Sequence, residues 1–157
     1  MDKKIKALAT FLGIDESNIK AGDRDSFIVG SNRQVAGAGV GEYVWRPDGG
    51  EYLVLTDDEA DEKAKQEIIE TLWAFNAEFI LGCCNLDISR GVVASLRDMQ
   101  GKSCEGCSDF IRALIDGTCG IDDFVYQAIE SDGREHFIAT YDDEENEQDE
   151  YFIYHVN

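Results

Sequence analysis

Residues 51–81 read EYLVLTDDEADEKAKQEIIETLWAFNAEFIL, an apolar run that passes directly into an acidic amphipathic stretch. Thr56 followed by Glu59 fits a capping box, in which the threonine hydroxyl accepts the Glu59 N–H and the glutamate carboxylate accepts the Thr56 N–H. Asp57 and Asp58 then fall in the first turn, where carboxylates meet the positive end of the helix dipole. The helix is therefore predicted to start at Thr56, straight after a strand over 51–55. Ala60, Ala64, Ile68 and Leu72 recur every fourth residue with Ile69 and Trp73 beside them, which predicts one buried stripe. The opposite side carries Asp58, Asp61, Glu62 and Glu70. Trp73 is expected in the core against the preceding strands.

Working toward the N-terminus, Tyr43–Arg46 and Glu51–Leu55 are β-type runs separated by Pro47-Asp48-Gly49-Gly50, which predicts an antiparallel hairpin. The loop 30–41, GSNRQVAGAGVG, lacks the third glycine of a dinucleotide fingerprint and the Lys-Ser/Thr of a phosphate loop, and reads as a mobile surface loop. A short apolar run, Phe27–Val29, precedes it. An amphipathic helix is expected from Lys3 to Leu12, stopping at Gly13, with Asp15 capping a further turn through Ile19. Toward the C-terminus the pattern predicts a re-capped helix at Asn76 and helices over 88–100, 105–115 and 121–131. One or two more helical turns follow in DGREHFIATY. The segment Tyr151–Val156 alternates as a strand would and is expected to rejoin the hairpin. The fold class is α+β, a small antiparallel sheet of about three to four strands covered by several helices. Residues 1–157 are read as a single compact acidic domain.

The formal charge is −19, from 33 acidic and 14 basic residues. Phosphate affinity needs clustered Lys and Arg, so direct binding to nucleic acid is disfavoured, as is an anionic membrane. The N-terminal stretch has helical spacing rather than the apolar run and small-residue cleavage site of a signal peptide. No stretch approaches the roughly 20 apolar residues of a membrane span. A soluble, cytoplasmic protein is expected.

The stretches YLVLTDDEADEKAKQEIIETLWAFNAEFI and DGREHFIATYDDEENEQDEYFIYHVN, most specifically LVLTDDEADE, LWAFN and DGREHF, resemble small acidic proteins of bacteriophages and related mobile elements. The resemblance covers about half the chain. It implies a phage-type origin and carries over no catalytic residue, and the glycine-rich loop and the cysteines depart from the pattern.

Cys104 and Cys107 form a C-x-x-C, and with Cys83 and Cys119 they could supply four thiolates to zinc. A second C-x-x-C or a close histidine pair is lacking, and Cys84 adjoins Cys83 in sequence. The favoured reading is free cysteines acting as small buried hydrophobes, with no cofactor. His136 and His155 belong to no nucleophile elbow or H-E-x-x-H helix, so no enzyme is expected.

The tract DDEENEQDE, Asp142–Glu150, contains no base. Its plain reading is a solvated loop before the last strand. Joined to the acidic helix face, it creates a field reaching about 8 Å from the surface, which selects basic partners. Carboxylates in an extended chain advance about 3.3 Å per residue, close to the roughly 3.4 Å per phosphate along a DNA strand. The leading expectation is a phage-type inhibitor of a host nucleic-acid-binding defence protein, of anti-CRISPR or anti-restriction type. It would present Asp57, Asp58, Asp61, Glu62, Asp142, Asp143, Glu144, Glu145 and Glu147 as phosphate surrogates. One alternative is a structural or accessory phage domain that assembles with itself, as a homodimer, or with another phage protein through the aromatics Tyr43, Trp45 or Tyr154. The other is a zinc-stabilised domain built on Cys104 and Cys107.

Overall fold

Strand β1 (Lys20–Ala21), β2 (Val44–Arg46) and β3 (Tyr52–Leu55) follow the N-terminal helix α1 (Lys3–Leu12), and β4 (Asn146–Gln148) and β5 (Tyr151–His155) close the chain. They form one antiparallel sheet in the order β1-β2-β3-β5-β4. The computed structural model describes residues 3–21, 44–47 and 50–157. The run Phe27–Val29, the loop 30–41 and Tyr43 lie outside them. Between the strands come α2 (Asp57–Glu70), α3 (Ala77–Cys83), α4 (Arg90–Ser103), α5 (Ser108–Asp116), α6 (Ile121–Asp132) and α7 (Arg134–Ile138), so the class is α+β. Within the span 1–157 the chain forms two compact units, residues 1–64 with 134–157, and residues 65–133.

The first unit holds the sheet. Trp45 pairs with Tyr52 and Val44 with Leu53, which is the expected hairpin, and β5 joins β3 from Tyr52↔His155 to Leu55↔Phe152. Alternation along the strands sends Trp45, Val54, Tyr151 and Ile153 into one core cluster with Ala7, Leu8 and Ala9 of α1. Helix α1 stops at Gly13, whose φ of +67° is a conformation that glycine adopts without a Cβ penalty. Asp15 then caps a 3-10 turn over Glu16–Asn18, its carboxylate accepting the Ser17 N–H at 2.9 Å. Trp45 and Tyr154, read from the sequence as contact aromatics, are 3% and 0% exposed. Both lie on strands flanked by other strands, and their rings fill the interior.

The acidic tract is only partly a loop. Asn146–Gln148 is β4, at the sheet edge, and Asp149 turns the chain into β5 with φ +56°. Charged side chains on an edge strand discourage pairing with another chain.

Helix α2 begins in the first unit and ends in the second. Its start is the expected capping box: Glu59 Oε2 accepts the Thr56 N–H at 2.8 Å and Thr56 Oγ1 accepts the Glu59 N–H at 3.3 Å. Lys4 of α1 adds an ion pair to the same glutamate oxygen at 2.6 Å. Ala60, Ala64, Ile68 and Leu72 are all buried. Trp73 is half-buried rather than core, because the α-helix ends at Glu70 and a 3-10 turn over Leu72–Ala74 shifts the side-chain phase.

The second unit is helical. Asn76 caps α3 by accepting the Glu78 and Phe79 N–H groups, as expected. Phe75, Phe79 and Phe124 make a ring cluster with centroids 5.3–5.9 Å apart. Gln100 Nε2 donates to the carbonyls of Trp73 and Phe75 at 2.9 and 2.6 Å, which satisfies backbone acceptors at the end of the 3-10 turn.

Candidate functional site

The two acidic stretches singled out in the sequence meet on the first unit, and Arg134 is what joins them. Arg134 opens α7. Its Nη1 lies 2.8 Å from Asp57 Oδ1 and 2.8 Å from Asp61 Oδ1, and its Nε donates to Glu145 Oε2 at 2.6 Å. The planar guanidinium also lies over the Phe152 ring, 4.4 Å from the centroid. Its fork of donors suits several carboxylates at once, and the aromatic face accepts the delocalised cation. Only 12% of the Arg134 side chain is exposed, against 70% for Asp57, 63% for Asp61 and 26% for Glu145. Burial by itself would lower the arginine pKa. The hydrogen bonds that the guanidinium donates to Glu145, Asp61 and Asp57 outweigh it and hold the pKa above its usual value.

Glu145 has a second partner, the hydroxyl of the buried Tyr154, which donates to Oε2. Burial first, and then this hydrogen bond to a carboxylate, push the Tyr154 pKa well above the ordinary phenol range. Glu145 is thereby fixed from two sides.

Of the nine carboxylates expected to contact a partner, Asp57, Asp61 and Glu145 are thus committed to Arg134. Asp58, Glu62, Asp143, Glu144 and Glu147 are exposed. Asp142 and Asp143 each face a histidine: His155 Nδ1 is 3.6 Å from Asp142 Oδ2, and His136 Nδ1 is 3.6 Å from Asp143 Oδ1. The Asp142 carboxylate also accepts the Glu144 N–H at 3.1 Å, which turns the tract at its start.

His155 is packed between two tyrosines, stacked on Tyr52 at 4.4 Å and tilted on Tyr141 at 4.0 Å. Burial, and then the Asp142 and Tyr141 charges, raise the Tyr52 pKa. Gly50 belongs to this corner by close approach: a Cβ there would lie 2.8 Å from His155 Nε2 and 3.3 Å from the Asn157 carbonyl oxygen.

The cysteines are free thiols. Cys83, Cys84 and Cys107 are buried, Cys119 is half-buried and Cys104 is exposed. Among the described residues, no three His, Cys, Asp or Glu side chains are grouped so as to hold a metal ion. Cys107 Sγ donates to the Cys104 carbonyl at 3.0 Å, closing its own turn. Burial, and then the neighbouring Cys119, Cys84 and Asp123, push the Cys83 thiol up to about 11. Burial also raises Cys119. Such thiols stay protonated near neutral pH and are poor nucleophiles and ligands.

Sequence reasoning missed Arg134. Its signal was an arginine directly after Gly133, the one Lys or Arg between Arg112 and the end of the acidic tract. No protein-family model, curated protein or solved structure matches the chain. Among the described residues no helix is long and apolar enough to cross a membrane.

Chemically the arrangement is a buried guanidinium held by three carboxylates, with further carboxylates exposed on the same two stretches.

Proposed function

We propose that this is a phage-type acidic binding protein, working in the host cytoplasm, that occupies the nucleic-acid-binding surface of a basic host defence protein. The observation that supports this reading is the Arg134 clamp. It ties the first turns of α2 to the 142–150 tract, and Asp58, Glu62, Asp143, Glu144 and Glu147 are exposed on those same two stretches. A solubilising surface needs charge but no fixed spacing; a phosphate surrogate needs both.

The test uses immobilised duplex DNA loaded with a bacterial lysate and eluted with purified protein. The wild type should release a DNA-binding protein into a soluble complex. A variant carrying Asp58→Asn, Glu62→Gln, Asp143→Asn, Glu144→Gln and Glu147→Gln should not, and both should fold equally by circular dichroism. Partners that hold this protein and DNA at the same time would rule out surrogate binding.

A further inference from the structure

The second unit carries an apolar groove of about 330 Å³ between α3, α4 and α5, at the lower end of the roughly 300–1,000 Å³ of ligand pockets. Leu81, Leu86, Val92, Met99, Phe110 and Leu114 line it. Val92 and Phe110 keep 39% and 46% of their exposure, and Ile88 nearby keeps 62%, although each is a large apolar side chain. Val92, Leu96 and Met99 follow helical spacing on α4, so the face is a designed stripe and not a scatter of single residues. The groove's lining residues all belong to the second unit, and none of the nine carboxylates expected to contact a partner is among them.

Three occupants fit an apolar groove, and charge decides between them. A small polar metabolite or an acyl chain with a headgroup needs polar groups to orient it. This lining supplies only Asp87 and Ser95, and the Asp87 carboxylate already accepts the Ser89 N–H at 2.8 Å. A second copy would bring together two chains of charge −19, whose like charges repel. The unit itself is acidic. Residues 65–133 carry 12 carboxylates and 5 cations. Four of the five, Lys65, Arg97, Lys102 and Arg112, are each engaged by a carboxylate of the same unit, Asp122, Glu78, Asp98 and Asp116, and the fifth, Arg90, is exposed at the start of α4. Asp87 lies in the lining, and the excess of carboxylates over cations in this unit favours a cationic partner.

We infer that this groove is a docking site for an amphipathic helix of a partner protein, with leucine-type anchors on one face and Lys or Arg on its flanks. The apolar anchors would supply the contact energy and the flanking cations the orientation, as in helix-in-groove recognition.

The probe is a synthetic peptide of leucine and lysine set at helical spacing, labelled with fluorescein and titrated with the full protein at about 0.15 M salt, where charges within about 8 Å still act on one another. A scrambled peptide of equal composition and a peptide with Glu in place of Lys serve as comparisons. The amphipathic basic peptide should bind, and the other two at least about tenfold more weakly. Val92→Asp and Phe110→Ser should each weaken binding about tenfold. In the unmutated protein, amide NMR shifts should concentrate at Leu86, Val92, Met99, Phe110 and Leu114, which tests the site without relying on a variant. Equal binding of the scrambled peptide, or shifts confined to other residues, would overturn the inference. So would a dimer seen in sedimentation and dispersed by Val92→Asp, or decanoate shifting these resonances where the peptide does not.

Discussion

Arg134 gathers three carboxylates from two distant stretches of chain, and its removal leaves them facing one another. Breaking a fully buried ion pair costs about 3–5 kcal/mol. Asp57 and Asp61 are mostly exposed and can recover hydration, which reduces the loss. Arg134→Met should therefore destabilise the fold by about 2–3 kcal/mol, and Arg134→Lys by less, since a lysine keeps the charge without the fork. Urea denaturation would show the order; equal midpoints for all three proteins would mean the carboxylates are solvated one by one. Cys104 makes the opposite case. Its φ of +47° and ψ of −124° suit glycine, and an ordinary side chain is strained there. Cys104→Gly should raise stability by about 1 kcal/mol. A fall in melting temperature, or zinc in the wild type by elemental analysis, would instead give that thiol a ligand's role.

The entry to α2 is the element on which the first unit turns. Glu59 closes the capping box and pairs with Lys4, so one carboxylate fixes both the helix start and its tie to α1. Thr56→Ala removes one cap bond and should cost about 1 kcal/mol. Glu59→Ala removes a cap bond and a half-buried ion pair, and should cost about 2–3 kcal/mol. If thermal unfolding ranks the two variants the other way, the Lys4 contact adds nothing. This start was legible in the sequence because every partner in the box lies within four residues, as were the caps at Asp15 and Asn76, the hairpin and the return of the last strand to it. Arg134 was not legible: its partners Asp57 and Asp61 are 77 and 73 residues away, and no local period records a pairing of that kind. Trp73 was misplaced for a related reason, since the change from α to 3-10 geometry after Glu70 alters the phase by which the stripe was read. Trp45 and Tyr154 looked like surface aromatics until the sheet showed which strand neighbours cover them.

At the scale of the whole molecule, the charge of −19 acts on stability through two opposed effects of salt. Screening weakens attractive pairs, but the exposed ones, Lys3–Glu150, Arg97–Glu78 and Lys102–Asp98, are of the kind worth about 0–1 kcal/mol each. The partly buried contacts of Lys4 and Arg134 are screened much less. Against these stands the mutual repulsion of 33 carboxylates offset by only 14 bases, held closer together in the folded chain than in the expanded unfolded one. Repulsion is the larger sum. The melting temperature should accordingly rise as sodium chloride increases from about 0.02 to 0.5 M, over which the Debye length shortens several-fold. The fivefold neutralised variant, with fewer exposed charges to repel, should start from a higher melting temperature at low salt and gain less. A melting temperature that falls with salt in the wild type would show that the ion pairs outweigh the repulsion, so that the acidic face is held by attraction at every point and the carboxylates left over carry no strain for a basic partner to relieve.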